Sequence, residues 1–351
     1  MKPRKKTGTT SGNSRTQSSK PLSRYRLLIG IAAGVLVILV AAFLCWAWMP
    51  VFSKGKPVRF EVQASDSLSD VTARMNSEND NINETLFTLL MTLTGRSDSI
   101  KPGPYDIRAG ESPYRLMQKL SNGIFAIESV TIIEGWTFHQ MRKAIDGHPA
   151  LKHETAELSD KELMQKLGIE HTHGEGLFYP DTYQFKQDSS DLRIYELAHK
   201  TLLKRLNALW VSRDHNLPYQ SVYEALIMAS IIEKETGHSK DRAMVAGVFI
   251  NRLKKGMKLQ TDPTVIYGMG DRYAGKIHKA DLLRDTPYNT YTRKGLPPTP
   301  IALPGKAALE ATFHPAETDA LYFVARGDGT SEFSSNLDDH NKAVEKYILK
   351  K

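Results

Sequence analysis

A run of 23 residues without a charged side chain, residues 27–49, constrains this chain more than any other stretch. As a helix it is long enough to cross the hydrocarbon core of a bilayer. Trp46 and Trp48 stand at its far end, where aromatic rings settle at the membrane surface. The tail before it, residues 1–26, holds eight Lys or Arg and no Asp or Glu, which is expected to keep that flank in the cytoplasm. Residues 50–351 are then expected to fold on the other side. A cleavable signal peptide is the competing reading, but Trp46, Trp48 and Met49 occupy the place where a cleavage site needs small residues.

The net charge of +8 invites a nucleic-acid reading, and the tail removes it. Taking its eight basic residues from the 47 Lys and Arg leaves 39, equal to the 39 Asp and Glu. A neutral module outside the cytoplasm offers no clustered positive charge for phosphates, so no nucleic-acid partner is expected. The single cysteine, Cys45, lies inside the apolar run. The outer portion can therefore form no internal disulfide and no thiolate metal site.

Within that portion, residues 221–237 (SVYEALIMASIIEKETG) read as a helix bounded at both ends, with Ser221 and Glu224 as a capping box and Gly237 as a left-handed stop. Val222, Ala225, Met228, Ala229 and Ile232 fall on one apolar stripe, the expected buried face. Glu233 and Glu235 flank it on opposite sides, about 160° apart around the axis. The two cannot both enter one cleft. Glu235 belongs to the last turn, where free carbonyls disfavour an ionised carboxylate, and burial in a cleft would raise its pKa further. That is what a general acid needs near neutral pH. The plain alternative is a pair of solvated surface glutamates answering Lys234, Lys240 and Arg242.

Elsewhere, residues 50–57 are a short linker. The stretches FEVQASDSLSDVTARM, YDIRAGESPYRLMQKL and VTIIEGWTFHQMRKAI share one pattern of strand, turn, Ser or Thr cap (Ser67, Ser112, Thr137) and helix. Residues 84–94 add a helix, and residues 192–212 a long structural one with Leu197, Leu202, Leu206 and Leu209 available to the core. GEGLFYPDTYQF, residues 174–185, suits an ordered turn beside a cleft, with aromatic faces on which sugar rings stack. A further helix runs from residue 239 or 240 to 255. Its Arg242, Arg252, Lys254 and Lys255 imitate a DNA-reading helix-turn-helix, which the membrane topology opposes. Residues 259–268 (LQTDPTVIYG), 286–291 (TPYNTY), 295–305 (GLPPTPIALPG) and 321–329 (LYFVARGDG) read as loops. Pro297, Pro298, Pro300 and Pro304 fix an extended path fit to wall a groove. Only residues 321–325 read as a buried strand, and residues 341–349 as a closing helix.

His171, His173 and Glu175 form an H-x-H-x-E cluster without regular ligand spacing, and neither a metal nor a cofactor is expected. No G-x-S-x-G, phosphate loop or dinucleotide fingerprint is present. What remains is one acid at a helix end in an extracytoplasmic domain. Glycosidic cleavage usually takes two carboxylates. One suffices when the substrate carries its own nucleophile, as the C6 hydroxyl of N-acetylmuramic acid does in peptidoglycan.

The motifs ASIIEKET, GLFYPDTY, LQTDPTVIYG, YNTY, GLPPTPI and LYFVA, in this order, closely resemble the YceG-like family of endolytic murein transglycosylases. The resemblance implies an α+β chain: a single N-terminal transmembrane helix, a small LysM-like α/β subdomain (58–123) and a larger mixed α+β catalytic domain (126–351). It implies a single-pass protein of the bacterial inner membrane, N-terminus cytoplasmic and catalytic domain periplasmic. That protein would cut the MurNAc-β-1,4-GlcNAc bond of nascent strands, leave 1,6-anhydro-MurNAc ends and so limit strand length. Peptidoglycan glycan strands are the implied partner, with peptidoglycan synthases of the elongation or division machinery beside it. The family's catalytic acid corresponds to Glu235. Glu233 is the secondary candidate, expected to form a structural salt bridge. Gln260, Asp262, Tyr288, Asn289 and Tyr291 are candidates for binding sugar or orienting the acid. The rival reading is a membrane-anchored scaffold that binds peptidoglycan and cuts nothing.

Overall fold

The computed structural model describes residues 20–50, 58–77, 82–235 and 241–349. Its first element, α1 (Lys20–Trp48), is among the described residues the one helix long and apolar enough to cross a membrane. Side chains such as Ile29, Val37 and Ile38 are exposed, which is compatible with a helix surrounded by an apolar solvent. Residues 51–57 of the expected linker and the expected stop at Gly237 lie outside the described residues.

The chain divides into two units, Met1–Ala126 and Ile127–Lys351. In the first, β1 (Val58–Val62) pairs antiparallel with β2 (Gly103–Ile107), opposing Phe60 to Tyr105. Phe60 and Val62 alternate inward with the strand period of two. Helices α2 (Leu68–Ser77), α3 (Glu84–Leu93) and α4 (Pro113–Asn122) complete the unit. Met75, Phe87, Met91, Leu116, Met117 and Leu120 fill the space under this two-stranded sheet. The helix ends follow from local chemistry: Ser112 accepts the Arg115 amide, and Gly123 closes α4 at φ 69°.

In the second unit β3 (Ile127–Thr131) pairs antiparallel with β5 (Thr182–Lys186), and between them come α5 (Phe138–Asp146), β4 (Leu151–Lys152) and α6 (Asp160–Lys166). Thr137 and Gln140 form a reciprocal capping box at the start of α5. Strand β6 (Ser189–Ser190) pairs parallel with β4 and leads into α7 (Leu192–Ser212). Then follow α8 (Val222–Glu235), α9 (Arg242–Lys254), α10 (Asp262–Met269), α11 (Lys279–Leu283) and α12 (Lys306–Phe313). A hairpin of β7 (Tyr322–Ala325) and β8 (Ser331–Ser334) and the helix α13 (Leu337–Val344), continued by one π segment, end the described chain.

Helix α8 is the axis of this unit. Every residue from Ala225 to Ile232 is buried, so the expected single apolar stripe is replaced by burial on all sides. The cause is tertiary: α7, α9, α10 and α12 all pack on it. Ser221 caps its start as expected, while the Glu224 carboxylate takes the amide of Gln220 rather than that of Ser221. Ser230, at the centre, is satisfied twice, donating to the Ile227 carbonyl and accepting the Ile301 amide.

Three expectations are corrected by this packing. The aromatics of residues 174–185 do not wall a cleft: Phe178, Tyr179, Tyr183 and Phe185 are all buried, with Phe178 stacked on Phe138 at 5.1 Å. The proline-rich segment is split: Pro297 and Pro298 do wall a groove, beside Pro218 and Tyr223, but residues 299–304 run into the core, where Ile301, Ala302 and Leu303 are at most 2% exposed. Gly176, at φ 76°, lets this segment pass, since a Cβ there would collide with Pro300. Residues 262–269 form a helix rather than a loop, and α12 and β8 join a region read as irregular.

Glu175 shows the energetic consequence of so dense a core. Its carboxylate, 5% exposed, accepts the Phe138 amide at 3.0 Å and the Tyr267 hydroxyl at 3.2 Å. Burial still pushes its pKa up to about 7. A carboxyl whose pKa is raised on folding stabilises the fold fully below its unfolded value, and that stability is lost as pH rises through the folded one. Glu175→Gln is therefore expected to match the wild-type stability near pH 4.5 and exceed it above pH 7, by on the order of 3 kcal/mol. Thermal melts across that range check the sign.

Candidate functional site

The end of α8 opens onto a cleft of about 480 Å³. Its lining comes from six places: Glu235 from α8, Phe249 and Arg252 from α9, the segment 259–262, Tyr291, Tyr322 and Phe323 of β7, and one face of α13. Glu235 is of intermediate exposure as a residue, but its carboxyl group lies deep in the wall.

The segment that faces Glu235 is held in an unusual backbone. Leu259 and Thr261 are buried on either side of Gln260, whose φ of 52° lies in the left-handed region that costs a non-glycine residue energy. That turn leaves Gln260 exposed in the cleft and sends the Thr261 hydroxyl to Glu235, where it donates to Oε1. Residues 286–291 brace the arrangement. Thr290 accepts the Thr261 amide at its hydroxyl and the Gln260 amide at its carbonyl. Thr261 then precedes α10, where Pro263 suits the first turn.

Arg252 ties α9 to the same segment. Only 8% exposed, it donates to the carbonyls of Leu321 at 2.6 Å and Leu259 at 2.8 Å, and its guanidinium lies over the Tyr322 ring. Asp262 accepts the Tyr291 hydroxyl at 2.6 Å.

Desolvation raises the Glu235 pKa above the ordinary carboxylate value; the Thr261 hydroxyl and Arg252 pull it down, and Asp262 pushes it up. A raised pKa favours the protonated form that a general acid has to present. Thr261→Val removes a donor that favours the ionised form, so the pKa should rise further. The alkaline limb of the rate profile is expected to move to higher pH; a shift to lower pH would contradict this assignment of forces.

Of the candidates named from sequence, Glu235, Gln260, Asp262 and Tyr291 meet in this cleft. Tyr288 and Asn289 do not line it. Tyr288 bonds the Thr299 hydroxyl at 2.9 Å and packs edge-on to Tyr267. Asn289, 1% exposed, donates to the carbonyls of Leu282 and Arg284 and accepts the Tyr291 amide, so it shapes the loop that carries Tyr291. Glu233 points elsewhere, as the helical angle required. Instead of the expected salt bridge, among the described residues it accepts the Gly305 amide at 2.9 Å. With Glu134 on the Lys306 amide, it supplies negative charge to the start of α12.

The H-x-H-x-E residues do not converge: His171 stacks on Tyr223 while Glu175 serves Phe138 and Tyr267. The described side chains that do come together with metal-type atoms are Asp146, His153 and Asp191. There Asp191 already accepts the Glu154 and Thr155 amides and the Thr155 hydroxyl.

Arg252, Thr261, Tyr322, His340 and Asn341 were not singled out for the site from sequence. In the sequence Arg252 reads as one of four cations that imitate a helix-turn-helix, although its neighbours Phe249 and Ile250 are apolar and mark an inward face.

Comparison with known proteins gives this cleft its context. A profile of the YceG-like family matches residues 60–346. The chain belongs to the YceG-like family. One relative, the endolytic murein transglycosylase of Bacillus subtilis (strain 168), is 33% identical over 315 residues, covering 84% of this chain and 86% of that protein. The protein of the same name from Streptococcus pneumoniae serotype 2 (strain D39) is 28% identical over 294 residues, and the match covers 72% of this chain but 51% of the relative. This YceG-like chain thus spans about half the pneumococcal protein. A crystal structure of a YceG-like protein from Listeria monocytogenes is 32% identical, with a TM-score of 0.52, and covers 83% of this chain and 99% of that one.

Proposed function

We infer that this protein is an endolytic murein transglycosylase that cuts the MurNAc-β-1,4-GlcNAc bond with Glu235 as its acid. The observation that carries the reading is a single desolvated carboxyl at the end of α8, hydrogen-bonded by a threonine and open to a polar cleft. Relatives named for the same activity support it.

In the reaction, protonated Glu235 gives its proton to the glycosidic oxygen as the C1–O bond breaks. Positive charge develops on the muramic ring, and the Asp262 carboxylate, fixed by Tyr291, supplies negative charge in the same cleft. The Glu235 carboxylate then takes the proton of the C6 hydroxyl, whose oxygen closes on C1. The products are a 1,6-anhydro-MurNAc end and a free GlcNAc 4-hydroxyl, with no water consumed and the acid restored.

The proposed placement follows from α1, with residues 1–26 in the cytoplasm, α1 as a retained inner-membrane anchor and residues 50–351 in the periplasm. Residues 58–123 are proposed as a LysM-like glycan-holding subdomain, on the strength of helices laid over a short antiparallel sheet. An anchored enzyme of this kind meets strands as they emerge, which makes peptidoglycan synthases its proposed neighbours.

Digestion of uncrosslinked strands in ¹⁸O-labelled water tests the chemistry. Intramolecular attack predicts new ends free of label. Incorporated ¹⁸O would show that water is the nucleophile, with Asp262 the first suspect for a second catalytic carboxylate.

A further inference from the structure

Helix α13 puts three residues of one face into the cleft, Leu337, His340 and Asn341, at the i, i+3, i+4 spacing that shares a helical side. Their states differ in a way that suits a ligand. Leu337 is 53% exposed, an apolar side chain left at the mouth of a polar cleft. Asn341 is exposed, and its side-chain amide has no partner among the described residues. The His340 ring stacks on Tyr322 at 5.1 Å and 23°, and its Nδ1 is buried with no hydrogen-bond partner. A buried polar atom without a partner in a cleft wall is what a bound molecule satisfies. Burial and the nearby Arg252 charge both lower the His340 pKa, which favours the neutral ring.

An acetamido group offers one N–H donor, one carbonyl acceptor and one methyl. A free asparagine amide beside an exposed leucine offers the complement: one acceptor, a pair of donors and an apolar contact. The His340 ring, held by its stack on Tyr322 while Arg252 lies over Tyr322 as well, adds a fixed wall beside Leu337 and Asn341. We propose that Asn341, Leu337 and the His340–Tyr322 stack form a subsite that reads the N-acetyl group of a sugar bound next to Glu235. The proposal rests on the transglycosylase reading and deepens it, making α13 the element that selects N-acetylated glycan. An amide of a peptide stem carries the same chemistry, and the experiment separates the two sources.

Binding is measured by calorimetry on the full-length protein in detergent, in a Glu235→Gln background that holds substrate without cutting it. The probes are a glycan strand stripped of stems, the same strand after chemical de-N-acetylation, and the stem peptide alone. Adding Asn341→Ala is expected to weaken the N-acetylated strand about tenfold, the worth of one or two hydrogen bonds. Affinity for the de-N-acetylated strand should change less than about twofold, within a few tenths of a kcal/mol. On the N-acetylated strand Asn341→Asp, which keeps the shape and loses the donors, should weaken binding as the alanine variant does. Melting temperatures equal to the parent's confirm that the exposed position does not affect folding. Equal loss on both strands, no loss on either, or a loss confined to the stem peptide overturns the subsite. A protein that leaves 1,6-anhydro ends yet binds independently of Asn341 rejects only the subsite. One that binds through Asn341 but takes up ¹⁸O rejects only the transglycosylase reading.

Discussion

Replacing Glu235 by glutamine is expected to lower strand cleavage by about 100- to 10,000-fold, the usual worth of a positioned acid-base group. The fold should survive. Folding already favours the protonated, neutral carboxyl, since burial raises its pKa. Glutamine imitates that form and can still meet Thr261. At pH values above the raised pKa the variant should therefore melt at the same temperature as the wild type or higher, while activity is lost at every pH. Activity that fell together with stability would point to a structural glutamate.

Arg252→Leu is expected to act in the opposite way, on the fold first. Its guanidinium holds the carbonyls of Leu259 and Leu321 from inside the unit, and leucine would leave both without a donor. Lost charged hydrogen bonds and stranded buried acceptors cost about 2–4 kcal/mol together. In a unit of this size that is a fall of roughly 5–15 °C in melting temperature. Cleavage should fall as well, because the segment 259–261 places the Thr261 hydroxyl on Glu235. Arg252→Lys should recover part of the stability, since it restores the charge but not the planar fork. Thermal melts beside rate measurements separate the two effects. A leucine variant as stable as the parent would remove Arg252 from its bracing role.

These residues also show what a sequence can and cannot disclose. Helix α7 was readable in its bounds and in Leu202 and Leu206, but Leu197, expected in the core, is 43% exposed, because Ile194, Tyr195 and Ala198 take the inward face. The three caps at Ser67, Ser112 and Thr137 were legible, since a cap is made within a few residues. Glu235 was legible because its place in the last turn and its angle from Glu233 are properties of one helix.

The misses are non-local. Helix α12 has an ordinary helical composition but no capping side chain of its own; Glu134 and Glu233, far away in the chain, supply its first acceptors. Helix α10 could have been found, because Pro263 at its start is a favourable first-turn residue rather than a breaker. The aromatics of residues 174–185 carry the composition of a sugar platform and the burial of a core, and only packing against α5 and α7 tells these apart. Arg252 and Asn341 reach the cleft from helices whose role depends on what they face, which no local pattern states.

The most direct test of the account is mass spectrometry of the new strand ends made from uncrosslinked peptidoglycan by the full-length wild type and by Glu235→Gln. The account predicts internal cuts ending in 1,6-anhydro-N-acetylmuramic acid with the wild type and none with the variant. Reducing ends from the wild type, or anhydro ends that persist in the variant, would contradict it.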